Sequence, residues 1–283
     1  MSAVTAGRRL AVLGSPVAHS KSPLLHAAAY RELGLDWSYD RHEVDEHELA
    51  GFVGGLDGSW RGLSLTMPLK EAIRPLLDEV DEVASVTGAV NTVLLDGARK
   101  GWNTDVPGIV RAFERRGIAG LSQAVLLGTG ATARSALVAL HRMGVEGVSV
   151  VGRSPERAAA TAGFAEQVGL RADIHPAGLA LTEWPTAADL VVSTLPGGAI
   201  TTAPVPRPGV ALFDVAYAES PFPALWRTGA PDAVVVSGLD MLVEQALFQV
   251  RAFVGGDVDI ALPDEDRVLA AMDAAVGRIP PAV

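Results

Sequence analysis

Lysine is scarce in this chain. Lys21, Lys70 and Lys100 are the only three, against twenty arginines. An ammonium can give up a proton and recover it during a reaction, whereas a guanidinium keeps its charge throughout. Lys70 closes the run Ser64-Leu65-Thr66-Met67-Pro68-Leu69-Lys70, where a short apolar strand meets a proline turn. It reads either as a solvated lysine opening a helix or as a proton donor at a strand exit. Two other polar runs sit at comparable places, Gly88-Ala89-Val90-Asn91-Thr92 and Asn103-Thr104-Asp105. Taken singly, Asn91 reads equally as a turn amide and Asp105 as the N-cap of a helix over 106–116. His19-Ser20-Lys21-Ser22-Pro23 offers two hydroxyls and the amides of a helix start, which suit a carboxylate, and Ser22 is also a plain N-cap.

A second group of residues suits a dinucleotide. Gly128-Thr129-Gly130 lies between an apolar strand and an alanine-rich helix, with Ala133 in the third position of the glycine fingerprint. Glycines there let backbone amides approach a pyrophosphate at a helix N-terminus, although an ordinary βα turn needs them too. The next strand ends in Gly152-Arg153-Ser154, with Arg157 one turn later. A free ribose 2′-hydroxyl calls for Asp or Glu at that point, and arginines suit a 2′-phosphate, so NADP(H) is expected over NAD(H). Arg157 reads equally as a solvent-facing arginine. The six histidines show no metal-ligand spacing and the chain has no cysteine, so no metal is expected.

The elements that must position these groups alternate between apolar strands and helical patterns, the mark of an α/β protein with parallel sheets. Strands are expected at 9–14, 37–44 and 62–65, with a helix from Ser22 to near Gly34 and another from Asp45, where Glu48 completes a capping box. An acidic helix over 78–86 and a hairpin at Asp96-Gly97 close the first third. Buried strands follow at 124–127, 148–151, 189–193, 210–214 and 233–237, with helices at 131–143 and 155–168. The end of the chain is helical, at 239–254 and 264–276. The expected domains are 1–104 plus 239–283 and 105–238, with the C-terminal helices returning to the first domain. Polar groups at the strand ends of one domain would then meet a nicotinamide carried by the other.

The bulk composition narrows the classes of partner. Of the 283 residues 49% are hydrophobic and 20% charged, enough apolar mass for a folded core. A formal net charge of −10 argues against nucleic acid or an anionic membrane. The longest uncharged stretches are broken by Gly, Ser, Thr or Pro, so no membrane span is expected. The lack of cysteine fits a cytoplasmic protein.

Taken together, these stretches resemble the shikimate dehydrogenase family over nearly the whole chain. The carrying segments are residues 14–23, Thr66-Met67-Pro68-Leu69-Lys70-Glu71, residues 88–92, Asn103-Thr104-Asp105, residues 128–132, Arg153-Ser154, and Gly238-Leu239-Asp240-Met241-Leu242-Val243-Glu244-Gln245. The resemblance implies a two-domain α/β fold with a Rossmann-like NADP-binding domain. It also implies reversible NADPH-dependent reduction of 3-dehydroshikimate to shikimate, in aromatic amino-acid biosynthesis. It makes Lys70 and Asp105 the catalytic pair, and Ser20, Ser22, Thr66, Asn91, Tyr217 and Gln245 the substrate-binding residues. Gly128, Thr129, Gly130, Ala131, Thr132, Gly152, Arg153, Ser154, Arg157, Val215 and Gly238 would line the cofactor, with Glu82 near the nicotinamide amide. The partner is then a small molecule, and the state monomer or homodimer. Ser64 stands where the family often has Asn, and Leu195 lies in a turn unlike the family's usual one. The rival readings are a quinate or aminoshikimate dehydrogenase, and a catalytically silent ligand sensor.

Overall fold

The computed structural model describes residues 7–175, 185, 187–218 and 220–278. Its elements run β1 (Arg8–Gly14), α1 (Ser22–Glu32), β2 (Trp37–Glu43), α2 (Leu49–Gly54), β3 (Trp60–Leu65), α3 (Leu69–Ala72), β4 (Glu79–Val80), α4 (Glu82–Thr87), β5 (Thr92–Asp96) and β6 (Ala98–Trp102). Then come α5 (Asp105–Arg115), β7 (Gln123–Leu127), α6 (Ala131–Arg142), β8 (Gly147–Val151), α7 (Pro155–Gln167), β9 (Arg171–Ile174), β10 (Leu190–Ser193) and β11 (Ala211–Asp214). The chain ends with α8 (Phe222–Gly229), β12 (Val235–Ser237), α9 (Gly238–Gly255) and α10 (Glu265–Ala275). Contacts divide it into one unit of Met1–Gly108 with Leu242–Val283 and a second of Ile109–Met241, so the chain changes unit inside α5 and inside α9.

The first unit is built on a six-stranded sheet in the order β2-β1-β3-β5-β6-β4. Strand β1 is apolar from Leu10 to Leu13 because both of its faces are covered. Leu10 and Val12 pack with Tyr30, Tyr39, Val243, Leu247, Val250 and Phe253, whereas Ala11 and Leu13 pack with Leu49, Leu63, Leu65, Leu69 and Ile73. The sheet is mixed and not parallel throughout. β1 pairs in parallel with β2 and β3, but β3–β5 and β5–β6 are antiparallel, the latter pair joined at the expected Asp96-Gly97 turn.

The second unit carries an all-parallel sheet in the order β12-β11-β10-β7-β8-β9. Val125, Leu127, Val151, Val191 and Leu212 from its strands form one core with Phe222 and Trp226 of α8. Strands covered on both faces must be apolar at every position, which is why they read as unbroken hydrophobic runs.

Several elements depart from the sequence expectation. Residues 78–86 are not one helix: Glu79–Val80 joins β6 as a short edge strand, and Asp81 then caps α4 by accepting from the Ala84 amide at 2.8 Å. Ser22 is the first residue of α1 and not its cap, a position that Lys21 takes without a side-chain bond. Asp105 likewise opens α5 from within, which frees its carboxylate for other partners. The helix expected from Asp45 starts only at Leu49, after a turn over 46–48 that the Asp45 amide closes on Glu48 Oε2 at 3.2 Å and the Glu48 amide on Asp45 Oδ1 at 3.0 Å. β9 and α8 were not expected; β9 is an edge strand with exposed charged positions and so lacks the apolar signal.

Candidate active site

Four segments of the first unit bring the polar groups together. After β3 the chain turns through Thr66–Pro68 into α3, where fully buried Leu69 anchors the turn. The Val90 amide donates to the Lys70 carbonyl at 2.8 Å, fixing residues 88–91 against that turn. The Thr66 amide donates to the Leu13 carbonyl at 2.9 Å. This close approach requires Gly14, since a Cβ there would stand 2.3 Å from Thr66 Cγ2.

Lys70 Nζ donates to Asp105 Oδ2 at 2.6 Å, and the two side chains are 14% and 4% exposed. Asp105 Oδ1 accepts from Asn91 Nδ2 at 2.8 Å. The Asn91 amide can have only one orientation: its Oδ1 accepts from the Thr104 backbone amide at 2.9 Å, a group that can only donate. Its Nδ2 therefore faces Asp105, with Thr104 Oγ1 at 2.9 Å and Gln245 Oε1 at 3.3 Å. Gln245 is held in turn by donating from Nε2 to the Leu242 carbonyl at 3.0 Å. The Asp105 amide donates to Asn103 Oδ1 at 3.0 Å. Lys70, Asp105, Asn91 and Gln245 thus form one connected network, and buried Thr104 joins it as a member the sequence did not single out.

This geometry suits proton transfer. The ammonium keeps one carboxylate partner and has protons to spare, while both carboxylate oxygens are satisfied before any ligand arrives. A buried ion pair costs desolvation on both sides, and the extra hydrogen bonds to Asp105 offset it.

Ser20 and Ser22 form a second pair in the same unit, the Ser22 amide donating to Ser20 Oγ at 3.3 Å. The Tyr39 hydroxyl lies beside the hydroxyls of Ser22 and Ser64, buried and without a partner in good hydrogen-bond geometry, and burial pushes its phenol up. Ser64 Oγ donates to Gln249 Oε1 at 2.9 Å. Neither Tyr39 nor Gln249 stood out in the sequence. The available signal for Gln249 was a polar residue in the apolar phase of a helix, among Ala246, Leu247, Val250 and Phe253. Glu82 is in this unit as well, exposed on the first turn of α4.

The remaining expected site residues fall in the second unit. Gly128 follows β7 at a φ of +116°, where an L side chain is strained, and a Cβ there would stand 2.3 Å from Thr194 Oγ1. Gly130 precedes the α6 N-terminus, on whose first turn Ala131 and Thr132 are half-buried. A cavity of about 390 Å³ is lined by Gly128, Thr129, Gly152, Arg153, Ser154, Arg157 and Leu195. Ser154 caps α7, its Oγ accepting from the Arg157 amide at 3.3 Å and donating to Glu156 Oε2 at 2.6 Å. Arg153 and Arg157 are both exposed. The residues of this cavity fit a dinucleotide phosphate, with close backbone at the glycine turn and two cations at the neighbouring strand end. Val215 and Gly238 adjoin each other outside that lining, a Cβ on Gly238 falling 1.9 Å from the Val215 carbonyl oxygen. Tyr217 is half-buried after β11.

Among the described residues, no group of three His, Cys, Asp or Glu could hold a metal ion, and no helix is long and apolar enough to cross a membrane. Residues 12–93 match the family model described as the shikimate dehydrogenase substrate binding domain. Over 284 residues the chain is 38% identical to the shikimate dehydrogenase (NADP(+)) of Moorella thermoacetica, covering 95% of each. The crystal structure of Mycobacterium tuberculosis shikimate dehydrogenase superposes with a TM-score of 0.78 at 34% identity, covering 94% of this chain and 99% of that one. The shikimate 5-dehydrogenase of Thermus thermophilus in complex with NADP(H) and shikimate gives a TM-score of 0.75 at 34% identity, over 95% of this chain and 99% of that one.

Proposed function

The chain belongs to the shikimate dehydrogenase family, and we propose that it catalyses the reversible NADPH-dependent reduction of 3-dehydroshikimate to shikimate. The observation that carries the site assignment is the Lys70–Asp105 pair at 2.6 Å, oriented by Asn91. NADPH supplies the hydride. As negative charge builds on the ketone oxygen, the Lys70 ammonium stabilises it and delivers the one proton that the reduction consumes. Lys70 is partly exposed and recovers its proton from solvent. Asp105 is acceptor-only, so it holds Lys70 in place and receives a ring hydroxyl of the substrate. Asn91, Thr66 and Gln245 bind ring hydroxyls, and Ser20, Ser22 and Tyr217 hold the carboxylate.

Residues 1–104 with 239–283 act as the substrate domain and residues 105–238 as the NADP-binding domain. Gly128, Thr129, Gly130, Ala131 and Thr132 take the pyrophosphate. Arg153 takes the 2′-phosphate, with Gly152, Ser154 and Arg157 beside it. Val215, Gly238 and Glu82 line the nicotinamide end. The absence of cysteine supports a cytoplasmic setting. Steady-state assays with shikimate, quinate and aminoshikimate, each with NADP and NAD, test the assignment. Shikimate with NADP is expected to give the highest kcat/KM. Quinate with NAD in first place, or tight shikimate binding with no turnover, overturns it.

A further inference from the structure

Gln249 is a buried polar residue that the reaction above leaves without a role, and its contacts fix the direction of the protons it shares with Ser64 and His26. It lies one turn past Gln245 on α9 and is 2% exposed. One end of its amide meets the Asn91 carbonyl at 3.2 Å. A carbonyl only accepts, so that end is Nε2 and Oε1 faces the other way. Oε1 accepts from Ser64 Oγ at 2.9 Å and stands 3.1 Å from His26 Nε2. For both to be hydrogen bonds, His26 must carry its proton on Nε2, and its Nδ1 then accepts from the Tyr30 hydroxyl at 3.1 Å. Tyr39 stacks on that ring with 3.9 Å between centroids, and Phe253 tilts against it. Burial in these surroundings pushes the imidazole down to about 3, so the ring is neutral and the proton directions persist at neutral pH.

The consequence falls on Ser64. A hydroxyl has one proton and two lone pairs, and here the proton is committed to Gln249. Ser64 is the penultimate residue of β3, two before Thr66, and pairs with Thr92 beside Asn91. We propose that Gln249 is a positioning residue that makes Ser64 an acceptor-only group at the substrate site. The site then selects a ring substituent that donates a hydrogen bond and rejects one that only accepts. This rests on the substrate reading above.

The test compares shikimate with its 4-fluoro and 5-fluoro analogues, in which an acceptor-only group replaces a hydroxyl that does not react. For wild type, Ser64→Ala, Gln249→Met and the double variant, the ratio of kcat/KM for hydroxyl over fluoro substrate is measured, with calorimetric Kd values alongside. The ratio cancels the folded fraction, so a destabilised variant remains informative. Wild type is expected to discriminate by about tenfold or more at one of the two positions, mainly through KM. Gln249→Met should lower that ratio by about threefold or more, because Ser64 can then turn its proton to the fluorine. Ser64→Ala should lower it as well, and the double variant should go no further than Ser64→Ala. No discrimination in wild type at either position overturns the proposal, as does an unchanged ratio in Gln249→Met or a multiplied effect in the double variant. A wild type that neither binds nor turns over shikimate instead overturns the substrate reading itself.

Discussion

The two units solve opposite problems with opposite materials. In the first, the candidate chemistry is made of side chains, buried and bonded to one another before a ligand arrives: Lys70 to Asp105, Asp105 to Asn91, Asn91 to Thr104 and Gln245. In the second, the candidate binding groups are backbone at Gly128–Gly130 and exposed cations around an open cavity. A group that must meet developing charge gains from being fixed in advance, because reorganisation then costs nothing at the moment of reaction. A phosphate needs only enough positive charge and free amides, which the exposed arginines and the glycine turn supply. Substitutions in the first unit should therefore damage rate and fold together, and those in the second should damage affinity alone.

The largest effect expected from this contrast is at Lys70. Lys70→Ala should lower kcat by about 10²-fold or more while KM stays within a small factor. It should also destabilise the first unit by about 3 kcal/mol, since it leaves the Asp105 carboxylate buried without its cation. Rate per folded enzyme and a urea titration separate the two losses. An unchanged kcat removes Lys70 from the mechanism, and an unchanged midpoint removes the claim that the network is structural as well as chemical.

A smaller effect, confined to affinity, is expected at the exposed cation. Arg153→Ala should raise the KM for NADP by about tenfold, leave the KM for NAD nearly unchanged and leave the unfolding midpoint where it was. Equal effects on the two cofactors contradict the 2′-phosphate assignment. A lost midpoint would mean that Arg153 holds structure, against the contrast drawn above.

How much of this was legible in the sequence follows the same division. Five of the second unit's strands are legible as apolar runs and only the exposed edge strand β9 is not, and Gly128-Thr129-Gly130 stands out as a turn between such a strand and a helix. The first unit's sheet is less legible. Glu79–Val80 is two residues inside an acidic, helix-like run, and only its pairing with β6 makes it a strand. Lys70, Asn91 and Asp105 could each be singled out, but nothing in their spacing said that they meet; that came from family resemblance. Thr104 carries no role of its own in that reading and Gln249 none at all, because a polar side chain in a buried position is recognised by its partners, which sequence does not supply. The position of Asp105 inside the helix was missed because an Asp before a helical run is the usual pattern of a cap.

Acid sharpens the contrast from another direction, because burial shifts His26 of the first unit and Asp214 of the second with opposite signs. In the first unit, burial lowers His26 from 6.5 to about 3. Between those values the unfolded chain binds a proton that the native unit refuses, so this contribution is intact above pH 6.5 and falls as the pH drops towards 3. Its limiting slope is about 1.4 kcal/mol per pH unit. The groups facing His26 are Tyr30, Tyr39, Gln249 and Phe253, none of which is charged at these pH values. In the second unit, burial raises Asp214 above 3.8, opposed by hydrogen bonds that include one from Ser220 Oγ at 2.5 Å. Just above pH 3.8 the native unit holds a proton that the unfolded chain has lost, so this contribution is present at low pH and is lost as pH rises. Acidification from 6.5 to 4.5 should therefore lower amide protection in β1 and α1 more than in β10 and β11, after correction for intrinsic exchange. A His26 resonance titrating near 6.5, or equal losses in the two sheets, would mean that the buried network of the first unit is not closed to protons. The proton directions on which the Ser64–Gln249 assignment depends would then fail with it.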